Sequence, residues 1–517
     1  MTTDGTSSTP ESARPSPAAF NPEDDYPDSR DDEQRADDQQ NAAAQSAALT
    51  DSGDNPHEYP NDMIERIRED RLDMAGLELP DPPIQFDALR APGPRDPDQP
   101  DMGIVILVTH GELLLRVPAG GPPGPDDAAG ADDAAGGYEN DRPAWQQADG
   151  LLRELGYTQI NDHSPMGLPL RVYMAADRGP EQLVEERDRI RAETGAEVDL
   201  NYVVTLGHVV KADDAARKTA AHRCYSPEWI RCHPVRREIT VAVIDTGVNH
   251  EHRTDGWLAG ISETPDNTDP LDVFPVREEN GQIIRGDNLL DLSAGHGSFV
   301  AGVVEQIAPA ATIRVYRAVD TEGMGKADDV AKAIIRAAAE GADIIHMSLG
   351  FMTVDNLPPL AFTTAVDMVQ NERPGVVIVA SAGNMGQEVP MFPAAMKGVV
   401  GVGALKADLT PVAWSNYGFW LDCSAVGVGI TSTFVPGNEQ YRQNGQELIE
   451  HFDPNDWAIW SGTSFSAPQI AGGVAQLCQL HDVSPPVALG QLLDGRPVLP
   501  GYGTVIRILP GTPLPGP

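Results

Sequence analysis

Cysteine is scarce in this chain of 517 residues, which has four, widely spaced, and no C-x-x-C pair. A scaffold held together by disulfides is therefore excluded. The first thirty residues have neither a basic start nor an apolar run, unlike a secretory signal peptide. The longest early apolar run, at 103–108, is far shorter than the ~20 residues that span a bilayer. We expect a cytoplasmic protein without membrane insertion, and export without a signal stays open.

Basic residues are also few, with 37 Lys and Arg against 78 Asp and Glu, for a net charge of −41. Such a balance repels nucleic-acid phosphates and anionic lipid headgroups, so we expect no nucleic-acid partner. The apolar fraction of 40% still supplies a core, which excludes disorder of the whole chain. The length suits one large domain with additional parts.

Composition divides the chain into zones. Residues 1–50 hold 11 acidic and 3 basic residues without an aliphatic period. They are expected to form a solubilising disordered tail, with an acidic interaction arm as the alternative. The predicted parts are a disordered acidic tail and linker at 1–100, a small α+β module at 101–210, a linker at 211–236, the main domain at 237–490 and a Pro/Gly-rich segment at 491–517.

The 101–210 module shows its own alternation of strand and helix patterns. Two apolar runs flank His110-Gly111, which predicts a β-hairpin. No catalytic constellation lies within this module.

In the main domain, apolar strands alternate with amphipathic helices. This order predicts an α/β domain with a parallel sheet and right-handed crossovers. Functional groups in such a sheet belong at the carboxyl ends of the strands. Asp245 follows one apolar run directly, and Asn384 lies in the turn after another.

Each polar residue at these ends has an alternative explanation. Asp245-Thr-Gly is also the tripeptide of aspartic proteases, which need two such loops. The other Asp-Ser-Gly, at 51–53, has no strand before it. Alone, Asp245 fits a structural turn as well as a catalytic role, and Asn384 fits a turn-forming amide. His296 lies between two glycines, which is unusual for a surface histidine.

Ser464 precedes an Ala/Gly-rich helical stretch, and Pro468 fits the first turn of that helix. A serine there gains the field of the helix N-terminus. Ser466 stands where the last glycine of G-x-S-x-G would be, so the α/β-hydrolase elbow is excluded.

Together, four stretches within 239–480 resemble the subtilisin-like serine peptidases (subtilases). The chain order Asp, His, Ser is also the order of that family. The resemblance implies a three-layer α/β fold with a mainly parallel sheet. The stretches are Val243-Ile-Asp245-Thr-Gly-Val248, Gly295-His296-Gly-Ser-Phe-Val-Ala-Gly302, Ser381-Ala-Gly-Asn384 and Gly462-Thr-Ser464-Phe-Ser-Ala-Pro468.

The resemblance also implies roles for individual residues. Ser464 would be the nucleophile of an acyl-enzyme mechanism, His296 its general base and Asp245 the residue that orients His296. The Asn384 amide and the Ser464 N–H would hold the oxyanion. An extended substrate would bind along Ser348, Leu349, Gly350, Ala382 and Gly383.

The chain departs from the family pattern in two places. Ser298-Phe299 replaces the Thr-His that many members carry, which should alter packing more than chemistry. A polar insertion near 262–290 means that the family's calcium loop cannot be traced, so we expect no metal and no cofactor. A zinc site is not supported, because adjacent Cys232 and His233 cannot easily face one ion and the spacing misses the usual pattern. The set in question is His222, Cys224, Cys232 and His233.

These features predict a serine endopeptidase acting on protein or peptide substrates. The alternative is a catalytically silent subtilase fold kept for binding or scaffolding. Residues 101–210 have two interpretations, a prodomain that inhibits the site intramolecularly and a permanently attached adaptor.

Overall fold

The structure is a computed structural model that describes residues 31–50, 84–91, 104–118, 142–160, 167–206, 215–219, 235–250, 252–272, 277–279, 282–284, 288–443, 446–509 and 511. Its helices are α1 Asp32–Thr50, α2 Ala144–Glu154, α3 Pro180–Thr194, α4 His296–Ile307, α5 Ala327–Ala339, α6 Leu360–Glu372, α7 Thr463–His481 and α8 Pro485–Leu493. No described helix is both long and apolar enough to cross a membrane.

The strands fall into an N-terminal and a C-terminal group. The first group is β1 Phe86–Ala91, β2 Ile104–Arg116, β3 Thr158–Gln159, β4 Leu170–Met174, β5 Val198–Thr205 and β6 Arg217–Thr219. The second is β7 Thr240–Asp245, β8 Arg277–Glu279, β9 Gln282–Ile284, β10 Thr312–Arg317, β11 Met324–Lys326, β12 Ile344–Met347, β13 Val377–Ser381, β14 Val399–Leu405, β15 Cys423–Val426, β16 Ile430–Thr433, β17 Gly437–Gln443, β18 Gln446–Phe452, β19 Trp457–Trp460, β20 Val498–Leu499 and β21 Gly503–Val505.

An eight-stranded sheet forms the C-terminal domain, in the order β10-β7-β12-β13-β14-β15-β21-β20. All neighbours are parallel except the edge pair β20 and β21. The central strands are buried along their length, as expected for a parallel sheet covered on both faces. The predicted α/β fold with a mainly parallel sheet is therefore confirmed.

Helices cover the two faces of this sheet. Alternate residues of β7 enter different cores: Val241 and Val243 join the core of α4 and α7, whereas Ala242 and Ile244 join that of α5 and α6. This alternation follows from the period of two in a strand. The result is three layers, with the carboxyl ends of the strands at one edge.

The sheet extends beyond the predicted domain boundary at residue 490. Strand β21 pairs with β15, and Ile506 and Ile508 are fully buried. Residues 491–517 are predicted as a Pro/Gly-rich segment outside the main domain, but the described part of this segment completes the sheet edge. Short apolar strands among Gly and Pro gave too weak a pattern to be recognised.

A second sheet, β3-β4-β2-β5 with β1 on β2, forms the N-terminal module, and β11 of the C-terminal domain joins this sheet at β5. The predicted hairpin at His110-Gly111 is wrong, because residues 104–116 form the single strand β2. Gly111 has φ +69°, and the register against β5 shifts between Val108 and Leu113. The glycine therefore makes a bulge that bends the strand instead of reversing it.

Two stretches of residues 1–100 are ordered, contrary to the expected disordered tail and linker. Residues 86–91 form β1, which pairs with β2, and residues 32–50 form α1. Ala42 and Gln45 of α1 are buried against the C-terminal domain. In the expected linker at 211–236, residues 217–219 form β6, which pairs with β19. These segments are ordered by contacts with elements that are distant in the sequence. Composition carries no information about such contacts.

Candidate active site

Asp245 and His296 meet where β7 ends and α4 begins. Asp245 Oδ1 lies 2.7 Å from His296 Nδ1, and neither residue is more than 1% exposed. The flanking glycines allow this approach. A Cβ on Gly297 would lie 2.0 Å from Gly247 O, and Gly295 has φ +79°. The glycine bracket thus lets α4 start directly against the loop that follows Asp245.

Asp269, a residue that the sequence did not indicate, braces this contact. Its Oδ2 accepts hydrogen bonds from Thr246 Oγ1 and Gly295 N, both at 2.9 Å. Thr246 Oγ1 in turn accepts from Gly297 N at 3.1 Å. Burial without a cationic partner in these contacts raises the pKa of Asp269 to about 6. Asp269 lies in the polar insertion, where no local pattern marks it.

Ser464 lies in the first turn of α7, beside the Asp245–His296 pair. The ring of the next residue, Phe465, is 5.4 Å from the His296 ring between centroids. Ser464 Oγ donates to Ser348 O at 3.4 Å, and Ser348 Oγ donates to Ser464 O at 2.8 Å. His296 Nε2 has no hydrogen-bond partner among the described residues. Asp245 and His296 are therefore joined, whereas Ser464 is near them without a bond to His296.

Asn384 follows β13, and its amide orientation is fixed by the residue before Ser464. Asn384 Oδ1 accepts from Thr463 N and Thr463 Oγ1, both at 2.9 Å. Thr463 Oγ1 also accepts from Gly383 N at 3.0 Å. Gly383 has φ +94°, and a Cβ there would lie 2.2 Å from Met391 Sδ. The oxygen of the Asn384 amide is thus engaged, which leaves its NH₂ group as the available donor.

Gly350 borders a strand-shaped cleft that β5 of the N-terminal module occupies. Gly350 N donates to Thr205 O at 2.8 Å, and Thr205 N donates to Gly350 O at 3.2 Å. On the other side, β5 pairs with β11, and Leu206 N donates to Gly323 O at 3.1 Å. The end of β5 therefore lies between two backbone edges as an added antiparallel strand.

The family model described as the subtilase family matches residues 236–494, half of this chain. The chain belongs to the subtilase family. The matched residues contain Asp245, His296, Asn384 and Ser464 and six strands of the eight-stranded sheet. Because β20 and β21 complete that sheet, residues 235–509 are called the subtilase domain below.

Three similar proteins each match just under half of this chain. A thermophilic serine proteinase of Bacillus sp. (strain AK1) is 34% identical over 239 residues, which are 46% of this chain and 51% of that protein. Thermitase of Thermoactinomyces vulgaris is 30% identical over 243 residues, 45% of this chain and 72% of that protein. Subtilisin E of Bacillus subtilis (strain 168) is 27% identical over 256 residues, 47% of this chain and 56% of that protein. The chain thus spans about half the length of two of these relatives.

A solved structure of a lanthipeptide protease covers 54% of this chain and 89% of its own length, at 22% identity and a TM-score of 0.41.

An aromatic cluster surrounds His296 in this subtilase domain. Phe299, one of the two residues that depart from the family pattern, has its ring 4.5 Å from that of Phe465. Trp460 meets His296 edge to face at 5.6 Å. The other departure, Ser298, accepts from Asn249 N at 2.9 Å. Both positions contribute packing and loop contacts, in line with the expectation from the sequence.

His346 is a second buried histidine that the sequence did not indicate. Its Nε2 lies 2.7 Å from Ser348 Oγ, which bonds to the Ser464 carbonyl. Burial lowers the pKa of His346 to about 3, so the ring is neutral at ordinary pH. Position 346 lies within an apolar strand, where no local pattern marks a histidine as part of a site. The zinc set considered above lies outside the described residues.

Proposed function

We propose that the chain is a serine endopeptidase that uses Ser464, His296 and Asp245. The observation that carries this proposal is the 2.7 Å contact between Asp245 Oδ1 and His296 Nδ1. A carboxylate on Nδ1 selects the tautomer that carries a proton there and leaves Nε2 as a base. No other described residue bonds to Nε2, so this nitrogen is available for the Ser464 proton.

The proposed reaction has two halves. Ser464 Oγ attacks the scissile carbonyl while His296 Nε2 takes its proton, and the same proton then passes to the leaving amine. Water, deprotonated by His296, next attacks the acyl ester and releases the carboxylic acid product and Ser464. Asp245 stabilises the imidazolium in both halves. For attack, Ser464 Oγ has to turn from Ser348 O towards His296. Hydrogen bonds between catalytic residues often tighten only in the substrate complex.

The oxyanion would be held by Asn384 and the start of α7. The bonds from Thr463 fix Asn384 Oδ1 and so direct Nδ2 as the free donor of that amide. Ser464 N is among the first four N–H groups of α7, which have no acceptor within their own helix. Two preorganised donors of this kind are the usual arrangement for a tetrahedral intermediate.

We also propose that the N-terminal module inhibits the site. Its strand β5 fills the cleft between Gly323 and Gly350 that an extended substrate would need. The module also caps two helices of the subtilase domain: Asp199 Oδ2 accepts from Leu360 N at 2.9 Å, and Asn201 Oδ1 accepts from Asp328 N at 3.3 Å. A strand in this position supports a prodomain more than a remote adaptor.

The inhibition proposal implies a cut shortly after Leu206. Because β5 lies in the cleft up to its end at Thr205 and β6 begins at Arg217, the scissile bond would fall between these strands, within 207–214. Hydrolysis there would use one water, giving a carboxylate on the module and an amine on the subtilase fragment.

The catalytically silent alternative has one observation in its favour, the missing bond between His296 and Ser464. A fluorophosphonate probe separates the two functions because it labels only an activated serine. We expect labelling of the wild type after removal of the module and none of Ser464→Ala. Unlabelled wild type with the module removed would refute the peptidase.

The prodomain is tested by the N-termini of purified chains. We expect wild type to yield a fragment starting within 207–214, and Ser464→Ala to stay full length. An intact, fully active wild-type chain would leave the adaptor interpretation.

A further inference from the structure

Helix α1 lies on the subtilase domain at strands β19 and β6. Its Ala42 is fully buried in a small apolar cluster with Trp414, Val428 and Ile459. The exposed side of the helix carries most of its acidic residues, which explains why composition resembled a solvated tail. The covered face is narrow and consists of Asp38, Ala42, Gln45 and Ser46.

Gln45 makes the most specific contacts of this face. Its Nε2 donates to Ile459 O at 2.7 Å and to Ala215 O at 3.3 Å, and its Oε1 accepts from Ser461 Oγ at 3.1 Å. Gln45 is 2% exposed. Neighbouring contacts come from Thr219 Oγ1 to Asp38 Oδ1 and from Trp414 Nε1 to Ser46 Oγ. Buried, satisfied polar contacts of this kind fix the position of a helix.

Strand β6 is bound to the subtilase domain independently of α1. It pairs with β19, Lys218 N donates to Glu450 Oε2 at 2.7 Å, and Lys218 Nζ pairs with Asp456. In the chain, α1 and the module both precede residues 207–214, whereas β6 follows them. A cut within 207–214 would therefore leave α1 on the N-terminal fragment and its binding surface on the other fragment.

We propose that α1 is a second anchor that keeps the N-terminal fragment on the subtilase domain after the chain is cut. The proposal rests on the proposed function, which supplies the cut. The N-terminal fragment then has two linked contacts, the module in the cleft and α1 on β19 and β6. When one contact opens, the other keeps the fragment close, so the opened contact can form again. Linked sites of this kind hold about 10²–10⁴ times more tightly than one site alone. Loss of the module would then require displacement of α1 as well.

The test makes the cut without relying on the enzyme. In a Ser464→Ala chain, residues 208–213 are replaced by the recognition sequence of an added protease. After complete cleavage, release of the N-terminal fragment from the immobilised subtilase fragment is followed over time. Ala42→Asp places a charge in the buried contact, and Ala36→Asp makes the same change on the exposed side of α1.

We expect Ala42→Asp to speed release by about 10², the lower end of the range for linked sites. Ala36→Asp should leave the rate unchanged. Gln45→Ala removes the three polar contacts without adding a charge and should speed release to a smaller extent, so it carries the test should Ala42→Asp fail to fold. Release of both variants at the rate of Ala36→Asp would overturn the proposal. Because the added protease cuts an inactive chain, this result is independent of whether Ser464 is catalytic.

Discussion

The active site and the α1 contact lie on one domain but arise from different kinds of sequence. Asp245, His296, Asn384 and Ser464 each lie at or just after a strand end or at a helix start, next to an apolar run or a glycine. The polar residues of α1 lie within an acidic, weakly apolar segment. The comparison shows that local patterns reveal sites built on an element's end. They do not reveal a helix that binds through alanine and amide groups.

The largest expected effect is the loss of kcat when a proposed catalytic residue of the site is replaced. Ser464→Ala and His296→Ala should each lower kcat by about 10⁶, and the double variant little further, because the residues act as a unit. That magnitude comes from a subtilisin and is carried over to this relative. Steady-state kinetics with matched thermal unfolding curves measure it. Losses that multiply would contradict the shared role.

Asn384 tests whether the site's amide acts in the transition state. Asn384→Ala should lower kcat by about 10²–10³, or ~3–4 kcal/mol, with KM near that of wild type. This range, too, was established on a subtilisin. A variant changed mainly in KM would show that Asn384 binds substrate instead.

A third prediction concerns Asp269, which holds the loops that carry Asp245 and His296 together through Thr246 and Gly295. Its pKa is raised to about 6 in the folded protein, above the unfolded value of about 3.9. The contribution of this group to stability is therefore full below about pH 4 and is lost as the pH rises through about 6. The loss is of the order of 3 kcal/mol.

In Asp269→Asn, this decline in unfolding free energy between pH 4 and 7 should disappear. Asp266→Asn, at an exposed neighbouring position, serves as the control and should keep it. Denaturant unfolding at several pH values measures both. An unchanged pH profile in Asp269→Asn would mean that the pKa of Asp269 is not raised in the folded protein.

The smallest effect concerns α1 itself, where composition alone predicts none. Gln45→Ala leaves the Ser461 hydroxyl and two backbone carbonyls without this partner, so we expect a loss of about 1–2 kcal/mol. Ala36→Asp should change stability by less than about 0.5 kcal/mol. Thermal unfolding of the intact Ser464→Ala chain measures both. Equal losses of stability in the two variants would mean that α1 behaves as a solvated tail.

Much of the domain and its candidate site follows from local sequence. Apolar runs bounded by polar turns predicted β7 and β13, and the glycines around His296 distinguished it from an ordinary surface histidine. Asp269 and His346 escaped because one lies in an irregular insertion and the other inside a strand. Asp269 acts through Gly295, which is 26 residues away in the sequence. His346 acts through Ser348, and only the packed structure shows that Ser348 contacts Ser464.

By itself, the sequence determined the strand and helix order of the subtilase domain and the residues at the strand ends. These features depend on short-range periodicity and on backbone freedom at glycine. Only the tertiary structure decided that 104–116 is one bent strand, that β5 lies against Gly350 and that α1 is bound to β19. Each of these depends on pairing between segments tens to hundreds of residues apart. The free energy of such pairing comes from backbone edges and buried amides, which carry almost no local signature.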